Sequence, residues 1–162
     1  MDTYLAIVSK RDNRRYANGP IPDDVVRRIL DAGRVTGSAS NKQPWRFLVV
    51  EDAERRKRLA DAVYEPDNVR GAALVVAVAG ARPMDIGRSA QNMMLAAWNE
   101  GVVSCPNGIK DPEAAAKICG GEVKAVLSFG YPAKPRNPES RPADEWSAKA
   151  NRKPLDELVR RA

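Results

Sequence analysis

Histidine is absent from all 162 residues, and cysteine occurs only at Cys105 and Cys119. The first absence removes Ser-His-Asp and Cys-His nucleophilic systems, imidazole general bases and most zinc sites. The two cysteines form no CxxC pattern, and they read as inert, buried thiols more readily than as a disulfide. Neither a P-loop nor a GxGxxG fingerprint follows a strand, although Gly71 and Gly80 flank one. The acidic residues form no visible catalytic pair. No stretch approaches the roughly 20 apolar residues of a membrane span, and MDTYLAIVSK lacks a cationic leader, so a cytoplasmic location is expected. A chain with so little catalytic apparatus of its own is expected to import its reactive group, with no metal and no catalytic side chain.

What is present suits one compact domain over residues 1–162, since 43% of the residues are apolar. The net charge of +6 favours anionic partners, and nucleic acid, a membrane surface and a phosphorylated cofactor each fit. The cations are interrupted by acids except at a few points, so neither nucleic acid nor a membrane is the expected partner.

The pattern predicts a short helix over Thr3–Ser9 and a stronger one beginning at Pro22-Asp23-Asp24 and ending near Thr36-Gly37. Arg46–Glu51 and Ala72–Ala79 read as strands buried on both faces, separated by a charged helix over about 52–63. Met84–Glu100 is a largely uncharged helix whose apolar residues spread beyond one stripe, which suits a core or a subunit interface, with Gly101 as its C-cap. Val102–Cys105 and Lys124–Phe129 read as strands, and Pro112–Ile118 as a helix. The proline- and charge-rich stretch 133–149 predicts an extended arm, followed by a short helix or docking segment over 154–159. No internal repeat or low-complexity tract occurs.

Four stretches are able to carry chemistry. In Lys10-Arg11-Asp12-Asn13-Arg14-Arg15-Tyr16, four cations fall within six positions and can converge on a phosphate, or simply form a solvated basic turn. In Ser38-Ala39-Ser40-Asn41-Lys42-Gln43-Pro44-Trp45, Ser38, Asn41 and Gln43 suit the polar edge of a planar heterocycle, or helix-exit capping ahead of a core tryptophan. Cys105-Pro106-Asn107-Gly108-Ile109 reads as a turn whose glycine lets a ligand approach the backbone, though most Asn-Gly turns are only turns. Asn151-Arg152-Lys153-Pro154 is a basic pair on what is otherwise a solvated tail.

In this order the four stretches resemble the nitroreductase family of FMN-dependent oxidoreductases, of which this would be a short member. KRDNRRY stands for the family's R-R-S-x-R-x-F/Y, GSASNKQPWRF for P-S-x-x-N-x-Q-P-W-x-F, and DIGRSAQNMMLAAWNEG for the central dimer helix; LSFGYP and NRKPLDELV complete the sequence. Asp12 replaces the family's serine, a variation similar to the branch whose members fragment flavin, an activity not assigned to this chain.

The resemblance implies an α+β fold around a small, mostly antiparallel sheet flanked by helices. It also implies an intertwined homodimer with two FMN sites at the interface, and an arm from 133 to 162 laid over the partner subunit. It assigns Lys10, Arg11, Asp12 and Arg14, then Arg152 and Lys153, to the FMN phosphate. Ser38, Asn41 and Gln43 fall near the ring or ribityl chain of the neighbouring subunit's flavin, and Asn107 and Gly108 face the flavin N5 edge. Relatives often carry Glu-Gly there, so Asn107 is a departure. Trp45 and Phe47 are expected to anchor their loop in the core. Many relatives also roof the flavin with a helical insertion where this chain has only Gly80 to Asp85, so a more open site is expected. The implied activity is an FMN-dependent oxidoreductase in which NAD(P)H as co-substrate reduces the flavin, and the flavin then reduces a nitroaromatic, quinone or similar small-molecule acceptor. The alternative is a flavin-binding homodimer of the same fold with little or no NAD(P)H turnover.

Overall fold

A computed structural model describes residues 1–161. The chain divides into two compact units, Arg11–Arg136 and a smaller one made of Met1–Lys10 with the chain from Asn137 onward.

The larger unit is built on a four-stranded, wholly antiparallel sheet of β1 (Arg46–Val49), β2 (Leu74–Ala79), β3 (Val103–Asn107) and β4 (Val123–Gly130), in the order β1-β2-β4-β3. Its helices are α2 (Asp23–Arg34), α3 (Ala53–Asp61), α4 (Pro66–Arg70), α5 (Pro83–Asn99) and α6 (Pro112–Cys119). The strand period of two explains the layering. Along β2, Leu74, Val76 and Val78 join a cluster with Val25 and Ile29 of α2 and Ile86, Ala90 and Met93 of α5, while Val75 and Ala77 join one with Leu59 of α3, Val69 of α4 and Ala115 of α6. Each fully buried valine contributes roughly 1.5–3 kcal/mol, so β2, apolar on both faces, is the strand around which both layers condense.

Helix termini follow their local chemistry. Asp52 accepts from the Arg55 N–H at 2.7 Å to cap α3, Asp111 accepts from the Ala114 N–H at 2.9 Å to cap α6, and Pro66 opens α4. The α5 helix is a core helix here: Ser89 Oγ donates to the Gly33 carbonyl at 3.1 Å and Asn92 Nδ2 to Thr36 Oγ1 at 2.8 Å, stapling it to α2. Arg56 of α3 reaches the carbonyls of Val50 and Ala72, tying that helix to two strand ends.

Three expectations change. β1 lies at the sheet edge and is only half-buried, because an edge strand has a neighbour on one side alone. The strand expected over Val102–Cys105 continues through Asn107, so Cys105–Asn107 is ladder rather than turn. Pro106 is tolerated there because β3 is an edge strand, where a missing N–H costs no ladder bond. In the smaller unit the stretch expected to be an extended arm contains a 3₁₀ turn at Pro138–Ser140 and the helix α7 (Ala143–Ala148), which packs on α1 (Thr3–Ser9). Trp146 organises it, donating Nε1–H to the Pro138 carbonyl at 2.7 Å with Arg141 stacked 4.9 Å over its ring. The last helix, α8 (Leu155–Leu158), is short, as anticipated.

Two contacts fix the ends of the sheet. Gly80, at φ +148°, brings the chain out of β2 so closely under Pro44 that a Cβ would lie 2.2 Å from the Pro44 carbonyl oxygen. At the other end the Tyr16 side chain packs on Gly130, where a Cβ would meet its ring at 2.7 Å, and its hydroxyl is 2.8 Å from Ser128 Oγ. Burial pushes the Tyr16 phenol up to about 12 from 10, partly opposed by the Ser128 hydrogen bond.

Gly80→Ala is expected to destabilise the protein by about 3 kcal/mol, through a positive φ and a backbone clash, read as a lowered urea midpoint with unchanged m-value. The Tyr16 phenol stays protonated in the fold after it ionises in the unfolded chain. Its contribution is therefore intact below pH 10 and is lost as pH rises toward about 12, on the order of 2–3 kcal/mol. Denaturation curves between pH 9 and 12 should fall more steeply for wild type than for Tyr16→Phe; parallel curves would remove this role for the phenol.

Candidate functional site

The segment Arg11–Ala17 is laced to the β3–β4 side of the sheet. The Asn13 N–H donates to the Ser104 carbonyl at 3.0 Å, Ala17 N–H to the Tyr131 carbonyl at 2.8 Å, and Ala133 N–H to the Arg15 carbonyl at 3.3 Å. The outward carbonyl of Ser104, which would otherwise be a bare edge acceptor, is thereby satisfied. Asn13 Oδ1 accepts from the Arg15 N–H at 3.0 Å and tightens the bend between them.

This lacing sets Arg14 against β3. Its guanidinium is exposed, and its interaction with Cys105, followed by the charges of Glu65 and Asp12, raises it still further above the ordinary arginine value. Arg14 is thus a fixed cation on an open edge. Asp12 is exposed and Arg11 half-buried within the same segment.

Asn107 closes β3, and its carboxamide turns inward. Nδ2 lies 3.1 Å from each of the Cys105 carbonyl, the Val126 carbonyl and Ser128 Oγ, while Oδ1 accepts from Asn68 Nδ2 at 3.1 Å. Ser128 Oγ also reaches the Cys105 carbonyl at 3.2 Å and carries the chain of hydrogen bonds on to Tyr16. Gly108 follows immediately and is exposed; its carbonyl accepts from the Tyr64 N–H at 3.0 Å, and its own N–H has no partner among the described residues. Arg14, distant in sequence, is therefore brought beside Cys105, two and three residues ahead of the adjacent Asn107 and Gly108. Asn107 offers a ligand its backbone neighbourhood, since its side chain is committed to the interior.

The loop Ser38–Gln43 is held differently. Ser38 Oγ accepts from the Gln43 N–H at 2.8 Å, and Gln43 Nε2 reaches the Asn41 carbonyl at 3.4 Å. Helix α2 is already finished at Val35, so these residues do not cap it. Ser40, Asn41 and Gln43 adopt left-handed φ of 52°, 51° and 47°, a strain of about 1–3 kcal/mol each that capping does not require. Every hydrogen bond of Ser38, Asn41 and Gln43 stays within the loop, and the exposed Asn41 carboxamide has none among the described residues. Half-buried Trp45 and Phe47 pack against the α2–α5 cluster and anchor the loop from below, in agreement with the sequence. Beside it a cavity of about 470 Å³ opens between Pro44, Phe47, Gly80 and Gly121, where only Gly80–Arg82 separates β2 from α5.

Lys10, Arg152 and Lys153 lie in the smaller unit. Arg152 and Lys153 are exposed, and Arg152 folds back on its own backbone, donating Nη1–H to the Ala150 carbonyl at 2.9 Å. Among the described residues no group of three or more His, Cys, Asp or Glu is placed to hold a metal, and no helix is long and apolar enough to cross a membrane. Sequence reasoning missed Asn68 and Ser128. The one available signal was a serine inside the otherwise apolar run Val126–Phe129.

Residues 7–82 match the sequence model of the Nitroreductase family. A Thermus thermophilus NADH dehydrogenase is 36% identical over 76 residues, 47% of this chain but only 37% of that protein's length. An Archaeoglobus fulgidus protein whose name pairs NADH dehydrogenase with NAD(P)H nitroreductase is 28% identical over 78% of this chain and 83% of its own. Among solved structures, a Desulfovibrio desulfuricans protein in complex with FMN superposes with a TM-score of 0.80 at 28% identity, covering 100% of this chain and 98% of that one. A nitroreductase family protein of Clostridium difficile 630 gives a TM-score of 0.83 at 23% identity over 99% and 98% of the two chains. The chain thus resembles the nitroreductase family in sequence over residues 7–82, and its fold superposes along its length on solved proteins of that family.

Proposed function

We propose that the chain is an FMN-dependent oxidoreductase that uses NAD(P)H to reduce a small acceptor such as a nitroaromatic or quinone, and that it works as a homodimer. The observation that carries this reading is the β3 edge, where a permanent cation, Arg14, and a free backbone donor, Gly108 N–H, lie beside one extended strand. Cys105, beside which Arg14 lies, and Gly108 are three residues apart, about 10 Å along a strand. A phosphate ester joined by a polyol chain to a heterocycle fits that spacing: the anion at the guanidinium, a ring nitrogen or carbonyl at the N–H.

When bound, FMN supplies a two-electron centre able to take hydride from a nicotinamide and pass it on. The chain's own part is placement. Arg14 with Arg11 neutralises the phosphate, Gly108 N–H fixes the ring edge, and the interior carboxamide of Asn107 keeps that N–H from moving. The family resemblance assigns Lys10, Asp12, Arg152 and Lys153 to the same phosphate. The strained loop Ser38–Gln43, whose bonds are all local, suits delivery of Asn41 and Gln43 to the flavin of a second copy. No side chain near Gly108 is asked to act as acid or base, in keeping with a chain that has no histidine. The three-residue passage from β2 to α5 leaves the ring face open, which favours broad acceptor choice.

Titration of the purified protein with FMN, followed by flavin fluorescence, is expected to saturate at one FMN per chain, with Arg14→Ala weakening binding at least tenfold through loss of a phosphate ion pair. Anaerobic mixing of the FMN-loaded protein with NADH or NADPH should bleach the flavin much faster than free FMN is bleached. FMN bound without that acceleration would select the non-turnover homodimer, and no FMN binding would reject both.

A further inference from the structure

Asn68, Asn107, Ser128 and Tyr16 come from four separate places, α4, β3, β4 and the basic segment, yet form one uninterrupted chain of buried or half-buried hydrogen bonds. The orientation of Asn107 follows from counting donors. Asn107 Nδ2 lies 3.1 Å from three acceptors, the Cys105 carbonyl, the Val126 carbonyl and Ser128 Oγ, and shares its two protons among them, which leaves Asn107 Oδ1 to accept from Asn68. Ser128 Oγ lies 3.2 Å from the Cys105 carbonyl and 2.8 Å from the Tyr16 hydroxyl, whose proton also has the Ser128 carbonyl within reach at 3.3 Å. Flipping the Asn107 amide would press its oxygen against two carbonyls, so the orientation of Asn107 is fixed.

The geometry points to a positioning device: we infer that this chain sets Arg14 and the Gly108 N–H relative to one another so that a single ligand engages both. The inference rests on the FMN reading above. Cys105 is the hub. Its carbonyl receives Asn107 and Ser128, its sulfur faces Asn68 Nδ2 at 4.0 Å, and the neighbouring segment is tied to the same strand by the Asn13 N–H on the Ser104 carbonyl at 3.0 Å, which brings Arg14 beside it. One end of the chain clamps Tyr16, two residues past Arg14, onto Gly130 and Ser128. The other end holds Asn107, whose next peptide N–H is the exposed donor at Gly108. Neither Tyr16 nor Asn68 needs to touch the ligand; each acts through another residue.

The test is a double-mutant cycle on FMN affinity with Tyr16→Phe and Asn68→Ala, which lie at opposite ends of the chain. Tyr16→Phe keeps the ring on Gly130 and deletes only the hydroxyl; Asn68→Ser replaces Asn68→Ala should the latter misfold. Dissociation constants for FMN are read by fluorescence well below the thermal midpoint of each variant, so that lowered stability alone leaves them unmoved. Each single variant is expected to weaken FMN about fivefold to tenfold, and the double variant about as much as either single, because one break already uncouples the ends. Losses that multiply in the double variant, or singles that bind like wild type, overturn the positioning device while leaving the FMN reading intact. Wild type that binds no FMN overturns both.

Discussion

The hydrogen bond from the Tyr16 hydroxyl to Ser128 is the constraint on which the site depends. A short basic segment has too little apolar surface to hold itself on a sheet, and repulsion among its arginines works against docking. Tyr16 supplies what they lack: an aromatic ring seated on Gly130 and a hydroxyl that enters the polar interior of β3 and β4. Once Tyr16 is fixed, the Asn13 N–H finds the Ser104 carbonyl and Arg14 is brought to Cys105. The cationic group is thus exposed, although the position of its backbone is determined from inside the core.

The same polar interior explains a departure from the family pattern. A glutamate at position 107 with its carboxylate turned inward would face the Cys105 and Val126 carbonyls, an arrangement costly without protonation. Asparagine provides the two donors those carbonyls need, and so turns inward. The exposed group at the end of β3 is then Gly108, so the recognition proposed at this edge is one of main chain rather than of side chain. The connection from β2 to α5 is short, and Gly80 holds it under Pro44.

Much of the fold was legible because period and termini are local signals. The two faces of β2, the N-terminus of α2 and the extent of α5 follow from apolar spacing, acids in first turns and Gly101 after the last turn. Strand order is not local, so the edge position of β1 and the continuation of β3 through Pro106 were not visible, and α7 was hidden by the prolines around it. At the proposed site, residue order singled out Arg14, Gly108 and the Ser38–Gln43 loop as candidates. It did not reveal that Asn107 faces inward, because its partners Asn68, Val126 and Ser128 lie 39, 19 and 21 positions away. Nor did it show that three residues of the loop carry left-handed strain, since side-chain chemistry alone does not report φ.

The central claim is that Arg14 and the Gly108 N–H bind one ligand, FMN, at the β3 edge. Amide and guanidinium NMR of isotopically labelled protein tests it most directly. On addition of FMN the Gly108 N–H and Arg14 Nε–H resonances should shift together, with one dissociation constant and saturation at one FMN per chain. FMN binding that leaves both resonances unmoved, or moves them with different affinities, would contradict the account.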